Sequence, residues 1–363
     1  MAEIERNPIA ADSEIDSKLS QLADAVNKAV NSDDDLVTIG DAVGGDEGVP
    51  YWILTGIPAL DFAVGGVHHP GFPGARFIEI FGAEGTGKST LALWLMRQAI
   101  EQLNAVAYHQ DVERVLTPEI IHGTGINMKR VMRDQPDILE QVFDKQIALL
   151  EAIGKDSTLQ KQPVIIITDS VAAASTKAEV EADMDKVGVA EQARLMSKGL
   201  RKLKSPVTKS QVMSLWVNQT REKMNTSWGD NVTTPGGKAL PFYSSVRIYL
   251  TRIQTLKKTP TSDPYGCRIK AVIKKNKVAP PLRTAEYDIL FMQDDSGSYP
   301  VIDVTGAMID YAVSQKSIPC AAGYYTWNGS KYRRDMLKEI IMGDEEQYEQ
   351  LRKLCYEGVT PSD

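Results

Sequence analysis

One octapeptide limits this chain more than any other stretch: Gly82-Ala83-Glu84-Gly85-Thr86-Gly87-Lys88-Ser89, a complete GxxxxGK[ST]. The apolar run Phe77 to Phe81 precedes it, and Ser89 to Leu103 follows with helical periodicity. A strand, a glycine-rich turn and a helix in that order aim backbone N–H groups and a positive helix end at one point. That geometry holds an anion with several oxygens, so the loop reads as the phosphate cradle of a nucleoside triphosphate. Lys88 would neutralise the β- and γ-phosphates, and the Ser89 hydroxyl would ligate Mg2+. Gly82 through Thr90 are the expected ATP contacts.

Such a loop needs a sheet behind it. Further candidate strands are Val106 to His109, Val164 to Asp169, Met213 to Asn218, Val246 to Thr251, Arg268 to Lys274 and Tyr287 to Phe291. Helices fit between the earlier ones, for example Ala190 to Leu203, which predicts an α/β fold with a central, mostly parallel, twisted sheet covered on both faces. The later strands lack long crossovers and read as antiparallel. Three segments follow. Residues 1–49 hold an amphipathic helix (Ile15, Leu19, Leu22, Val26, Val30), a short strand Leu36 to Ile39 and a Gly/Asp-rich linker, too little to bury itself and so expected to dock on another surface. Residues 50–292 form the core, and residues 293–363 a small α/β unit ending in the helix Glu345 to Cys355.

With 363 residues, 42% hydrophobic and 25% charged, the chain has the make-up of a globular protein with one large core and smaller appendages. No apolar run approaches the roughly 18 residues of a membrane helix. The start, MAEIERNPIAADSEID, resembles neither a signal nor a transit peptide. A cytoplasmic protein without a membrane partner is the expectation. Cys267, Cys320 and Cys355 match neither a zinc site nor a disulfide framework and read as packing residues. A net charge of −7 argues against coating nucleic acid through bulk charge. The basic residues are nevertheless concentrated: Lys257, Lys258, Arg268, Lys270, Lys274, Lys275 and Lys277 fall between Arg252 and Arg283.

Hydrolysis of a triphosphate needs a carboxylate for the cation and a group to orient water. Asp169 ends an apolar strand, the position that holds Mg2+ beside a phosphate loop. Asp111 and Glu113 lie just past another strand's carboxyl end, the edge where α/β sheets bind ligands; Glu113 is the candidate to activate water. Asn218-Gln219 ends the next strand, so an amide at Gln219 can bond the γ-phosphate and swing away after hydrolysis. After it comes a long aperiodic stretch that carries Trp228 and ends in Gly236-Gly237-Lys238, and it reads as a functional loop. Arg221, Lys223, Trp228 and Lys238 are suited to phosphates and bases.

At this point the chain resembles a RecA-family recombinase, of bacterial or bacteriophage type, along nearly its whole length. The resemblance rests on Thr168-Asp-Ser-Val-Ala-Ala-Ala-Ser-Thr-Lys-Ala-Glu-Val-Glu181, on Ala193 to Leu203 and on Asn218-Gln-Thr-Arg221. It rests also on Pro235-Gly-Gly-Lys-Ala-Leu-Pro-Phe-Tyr-Ser-Ser-Val-Arg247, on Lys274-Lys-Asn-Lys-Val-Ala-Pro280 and on Gly323 to Lys331. It implies a RecA-like core with an amino-terminal polymerisation arm and a small carboxyl-terminal domain. It also implies that Glu113 activates water, Gln219 senses the γ-phosphate, and Lys275 and Lys277 reach the ATP of a neighbouring protomer. DNA would be gripped by Ala182 to Val189 with Arg194, Ser197 and Arg201, and by the Gln219 to Gly237 loop with Arg221, Gly236, Gly237 and Lys238. Phe242 and Arg247 would lie at the subunit interface. The implied function is a DNA-dependent ATPase that forms helical filaments on single-stranded DNA and pairs it with homologous duplex. Single-strand-binding or mediator proteins are the implied further partners.

The chain departs from the family pattern at several points. Pro241 stands where a basic residue is usual, Ile120 replaces the aromatic beside the adenine, and Phe291 replaces a tyrosine near the nucleotide. The first DNA loop, Ala-Asp-Met-Asp-Lys-Val-Gly-Val, differs from common bacterial members, and the chain stops at Thr360-Pro-Ser-Asp363 without a long acidic tail. Such divergence suits a bacteriophage-encoded member. Rival classes are a hexameric P-loop helicase, a small-molecule kinase and a structural DNA-coating protein; they predict closed rings, an acceptor pocket and a broken catalytic set, respectively.

Overall fold

A computed structural model describes Lys18, Gln21, Leu22, Ala25, Val26 and residues 48–181, 189–222 and 232–357. The chain divides into two compact units, Met1–Val49 and Pro50–Asp363. In the first, Lys18, Gln21, Leu22, Ala25 and Val26 are helical, within the predicted amphipathic stretch; the expected strand Leu36 to Ile39 lies outside the described residues.

In the second unit, β1 (Trp52–Ile53) and β2 (Phe72–Pro73) flank α1 (Pro58–Gly65), and β3 (Phe77–Gly82) runs into α2 (Lys88–Leu103). Next come β4 (Val106–Asp111), α3 (Pro118–Thr124), β5 (Val131–Asp134), α4 (Leu139–Lys155), β6 (Val164–Asp169), α5 (Lys177–Glu181), α6 (Val189–Lys209) and β7 (Val212–Gln219). A two-stranded ladder, β8 (Arg221–Glu222) with β9 (Val232–Thr233), precedes α7 (Ala239–Tyr243). The meander β10 (Val246–Lys257), β11 (Pro264–Asn276), β12 (Thr284–Asp294) and β13 (Gly297–Ile302) follows. Beyond it lie α8 (Val304–Ser314), β14 (Cys320–Ala321), β15 (Tyr324–Trp327), β16 (Ser330–Tyr332), α9 (Arg334–Met342) and α10 (Glu345–Tyr356).

The described residues include a nine-stranded sheet ordered β13-β12-β11-β10-β3-β7-β6-β4-β5. From β10 to β5 every pairing is parallel, and from β10 to β13 every pairing is antiparallel. The parallel half reads as apolar runs because both of its faces are buried. In β6, Ile165 and Ile167 pack toward Leu91, Leu95 and Met96 of α2, whereas Val164 and Ile166 pack toward Phe143 of α4, Leu200 of α6 and Trp216. The period of two divides one strand between two cores. All the parallel strands therefore end on one edge, which is where the polar residues collect.

The sheet runs past residue 292. β13, expected in the carboxyl-terminal unit, pairs along β12 as the outermost strand, with Pro300 opposite Phe291. An edge strand tolerates a proline because one side of its ladder has no partner to satisfy. The remainder of that segment has its own core of Met308, Ile309, Trp327, Leu337, Ile341 and Leu351. Cys267 and Cys355 are buried, as packing residues would be. Cys320 is exposed instead, at a two-residue strand on the rim of a small sheet. No described helix is long and apolar enough to cross a membrane.

Candidate active site

The loop after β3 turns into α2 at Gly87, whose φ of 77° is open to glycine at no steric cost. A Cβ there would also stand 2.2 Å from Ile289 Cδ1, so a side chain is excluded twice over. No side chain caps α2. Its first N–H groups are thus left to an acceptor from outside the helix, the arrangement that favours phosphate. Thr86 Oγ1 and Lys88 Nζ both donate to Ala83 O, at 2.8 and 2.7 Å. Burial pushes the Lys88 ammonium below its usual range, against the opposing pull of Glu113, Asp169 and Glu84. Ala83, Glu84 and Gly85 are exposed at the crest of the loop, and Ser89 and Thr90 lie half-buried in the first turn of α2.

Two strand ends meet beside it. Asp111 of β4 stands opposite Asp169 of β6 in parallel register. Asp111 is fully buried and well supplied with donors: Val115 N–H at 2.7 Å, Leu116 N–H at 3.2 Å and Arg133 Nη2 at 2.8 Å. Burial would raise its carboxyl, but those bonds and His109 bring it below the ordinary range. Asp169 is the opposite case. It is 1% exposed, and its Oδ1 has no hydrogen-bond partner. Burial pushes its carboxyl up to about 7, with the charges of Glu113 and Asp111 adding to the rise and the Ser89 hydroxyl and Lys88 opposing it. A buried carboxylate oxygen without a donor is costly. A hard divalent cation is the partner that a lone oxygen beside a serine hydroxyl fits, so the donor set suits Mg2+.

Glu113 lies on the exposed rim just beyond β4. Its N–H donates to Asp169 O at 3.0 Å. Its Oε1 accepts from Gln219 Nε2 at 2.9 Å and from the Ser170 hydroxyl, while Oε2 has no protein donor among the described residues. Gln219 ends β7 opposite Gly82. Asn218 fixes its backbone: Asn218 Oδ1 accepts from Gln219 N at 3.0 Å, and Asn218 Nδ2 donates to Glu79 Oε1 at 3.1 Å and Pro235 O at 3.2 Å. Arg247, expected at an interface between copies, donates to the buried Glu79 and stacks 4.5 Å from the centre of the Phe81 ring, all within its own chain. Phe242 is 71% exposed on α7. Lys275 Nζ donates to Pro241 O and Phe242 O at 2.7 and 2.8 Å. Burial, helped by the Lys277 and Arg247 charges, pushes that amine down to about 8. Lys277 is exposed, its N–H bonded to Ser245 O.

The residues expected to meet DNA cluster on α6. Met196, Leu200, Leu203 and Val207 face inward, Arg194 and Arg201 are exposed, and Ser197 lies between them half-buried. Neither arginine has an ion pair among the described residues. Gly237 approaches α6 so closely that a Cβ would lie 2.9 Å from Ala193 Cβ. Gly236 sits over Met196, and Lys238 is exposed. Arg221 opens β8, paired with Thr233. Residues 182–188 and 223–231, which carry most of both loops, lie outside the described residues. Sequence reasoning passed over Ser170, Gln192 and Glu79. A serine after a strand-end aspartate and a glutamine in a polar helix turn carry no pattern, and only a glutamate inside the apolar run Phe77 to Phe81 was a signal open to reading.

Comparison with known proteins fits this geometry. The RecA N-terminal domain family matches residues 24–295. Protein RecA of Chlamydia pneumoniae is 36% identical over 316 residues, covering 85% of this chain and 84% of that protein. Protein RecA of Heliobacterium modesticaldum is 35% identical over 291 residues, covering 80% and 78%.

Proposed function

Because the chain belongs to the RecA family of recombinases, we propose that it hydrolyses ATP when bound to single-stranded DNA, polymerises on that strand as a helical filament and pairs it with homologous duplex. The observation that carries this reading is the bond from Gln219 to Glu113. Gln219 opens the loop whose far end, Gly236-Gly237, rests on the helix bearing Arg194 and Arg201. Strand and triphosphate are thus handled by residues a few bonds apart.

The chain's own residues divide the work. Lys88 and the uncapped amides of α2 orient the triphosphate. Asp169 and Ser89 would hold Mg2+, which neutralises charge on the phosphate oxygens. Glu113, with Oε1 occupied by two donors, accepts the water proton at Oε2. Gln219 has a second amide hydrogen for the γ-phosphate, so its position depends on nucleotide state. Arg194, Ser197 and Arg201, one turn apart, follow a phosphate backbone without reading bases. The filament reading assigns Lys275, Lys277, Phe242 and Arg247 to the contact between copies, and the helix bearing Leu22 and Val26 to docking on a neighbour. In this division residues 1–49 are the arm, the ATPase core follows, and the small carboxyl-terminal domain packs on it through Tyr311 and Tyr356 against Phe62. Single-strand-binding or mediator proteins are natural partners for such a filament. Family membership argues against the helicase reading.

The test is electron microscopy of the protein with single-stranded DNA and a slowly hydrolysed ATP analogue, which should give extended helical filaments. Closed rings, or a strictly monomeric protein under those conditions, would refute the proposal. Replacing Arg194 and Arg201 together by alanine should weaken single-strand binding and reduce the salt slope of log K by about one to two. Unchanged binding would remove α6 from the DNA site.

A further inference from the structure

Glu113 Oε1 has two donors, and they come from different parts of the chain. Gln219 leads into the loop that returns at Pro235, where Asn218 Nδ2 grips the Pro235 carbonyl. The other donor, Ser170, leads into a short segment held from a different direction. Gln192 Nε2 donates to Val171 O at 3.2 Å and to Ala174 O at 3.3 Å. Gln192 lies in the first turns of α6, two positions before Arg194.

Ser170 is 0% exposed. Its hydroxyl caps no helix and joins no strand, so nothing in the local backbone calls for it, and alanine would fill the same space. Its partner is the acceptor-only oxygen of an exposed-rim carboxylate. A bond from a hydroxyl to an ionised acceptor is among the stronger ones a side chain makes, and a buried donor is oriented in advance. Two donors on one oxygen fix the carboxylate rotation and leave Oε2 as the remaining acceptor.

We propose that Ser170 is a positioning residue for hydrolysis: it holds Glu113 in the orientation that presents Oε2 to water, and through Gln192 it ties that orientation to α6. The carboxylate then has two inputs from the DNA-facing side, one through Gln219 and its loop and one through Gln192, residues 171–174 and Ser170. This deepens the reading that Glu113 activates water and that α6 contacts the strand, and it rests on that reading.

The experiment measures steady-state ATP hydrolysis by the full chain with and without single-stranded DNA, together with binding of an ATP analogue and of the strand. Ser170→Ala should lower kcat in the presence of DNA about tenfold, with KM for ATP and both affinities within about twofold of the unmodified protein. Gln192→Leu should lower the ratio of DNA-stimulated to DNA-free rate about threefold with strand affinity retained. An undiminished kcat in Ser170→Ala, or a loss matched by a rise in KM and weaker analogue binding, overturns the positioning role. Should Ser170→Ala fail to fold, Gln192→Leu decides alone, and an unchanged ratio overturns the proposal. Absence of DNA-stimulated hydrolysis in the unmodified protein would instead remove the underlying reading, and this inference with it.

Discussion

Two buried aspartates, Asp61 and Asp169, show how differently this fold treats the same chemical problem. Asp61 lies in the first turn of α1 and is fully supplied: Thr55 N–H at 2.9 Å and Thr55 Oγ1 at 2.7 Å on one oxygen, Gly56 N–H at 3.1 Å and the Tyr356 hydroxyl at 2.6 Å on the other. Around it, Phe62 packs against Tyr311 and Tyr356 with ring centres 5.4 and 5.7 Å apart. Asp169 is as deeply buried, yet its Oδ1 has no donor, and Glu113 and Asp111 crowd it with like charge. Burial raises both carboxyls, Asp61 to about 6 and Asp169 to about 7. The first is completed by the protein and fastens α10 to α1. The second is left incomplete where the parallel strands end, which is a structural cost and a binding capacity at once.

That contrast can be broken by exchanging effects on stability and on rate. Asp169→Asn should lower kcat for ATP hydrolysis by about a hundredfold or more, while cation-free thermal denaturation shows a melting temperature equal to or above that of the unmodified protein. A melting temperature lowered by several degrees would show that Asp169 is structural after all. Asp61→Ala should do the reverse, costing about 3 kcal/mol in denaturant unfolding because buried donors lose their acceptor, with kcat little altered below the transition. Acidity sharpens the comparison further. The Asp61 carboxyl titrates at 3.8 in the unfolded chain and at about 6 in the folded one, so the folded state keeps the proton longer. Its contribution to stability is therefore full below about 4 and is lost as pH rises through about 6. Unfolding free energies measured from pH 4 to 7 should show that decline, and Asp61→Asn should flatten it. The smallest effect is expected for Tyr356→Phe, about 1 kcal/mol from one hydrogen bond, with faster amide hydrogen exchange confined to α10.

Reading from sequence succeeded where the signal was local. Val164 to Asp169 is the observed β6 residue for residue, since an unbroken β-branched run ending in a carboxylate is marked at both ends. The strand from Val246 extends to Lys257, well past the expected Thr251. From Arg252 its residues are largely exposed, so ladder bonding to β11 continues where apolar alternation has stopped. β5 was passed over, being four residues long and paired on one side only. The candidate site divides the same way. The Gly82 to Ser89 loop is continuous in sequence, but Ser170 and Glu113 are 57 residues apart and Gln219 and Glu113 are 106 apart. Nothing in the local pattern of either partner announces the other.

Sequence alone determined the phosphate loop, the alternation of strand and helix behind it, and the carboxylates available to it, because each depends on neighbours within a few positions. Only the tertiary structure decided which carboxylate is satisfied and which is left open, and that Glu113 is held by two donors on one oxygen. Those outcomes depend on strands arriving side by side from distant parts of the chain, and burial, charge and hydrogen bonding take their values only after that assembly.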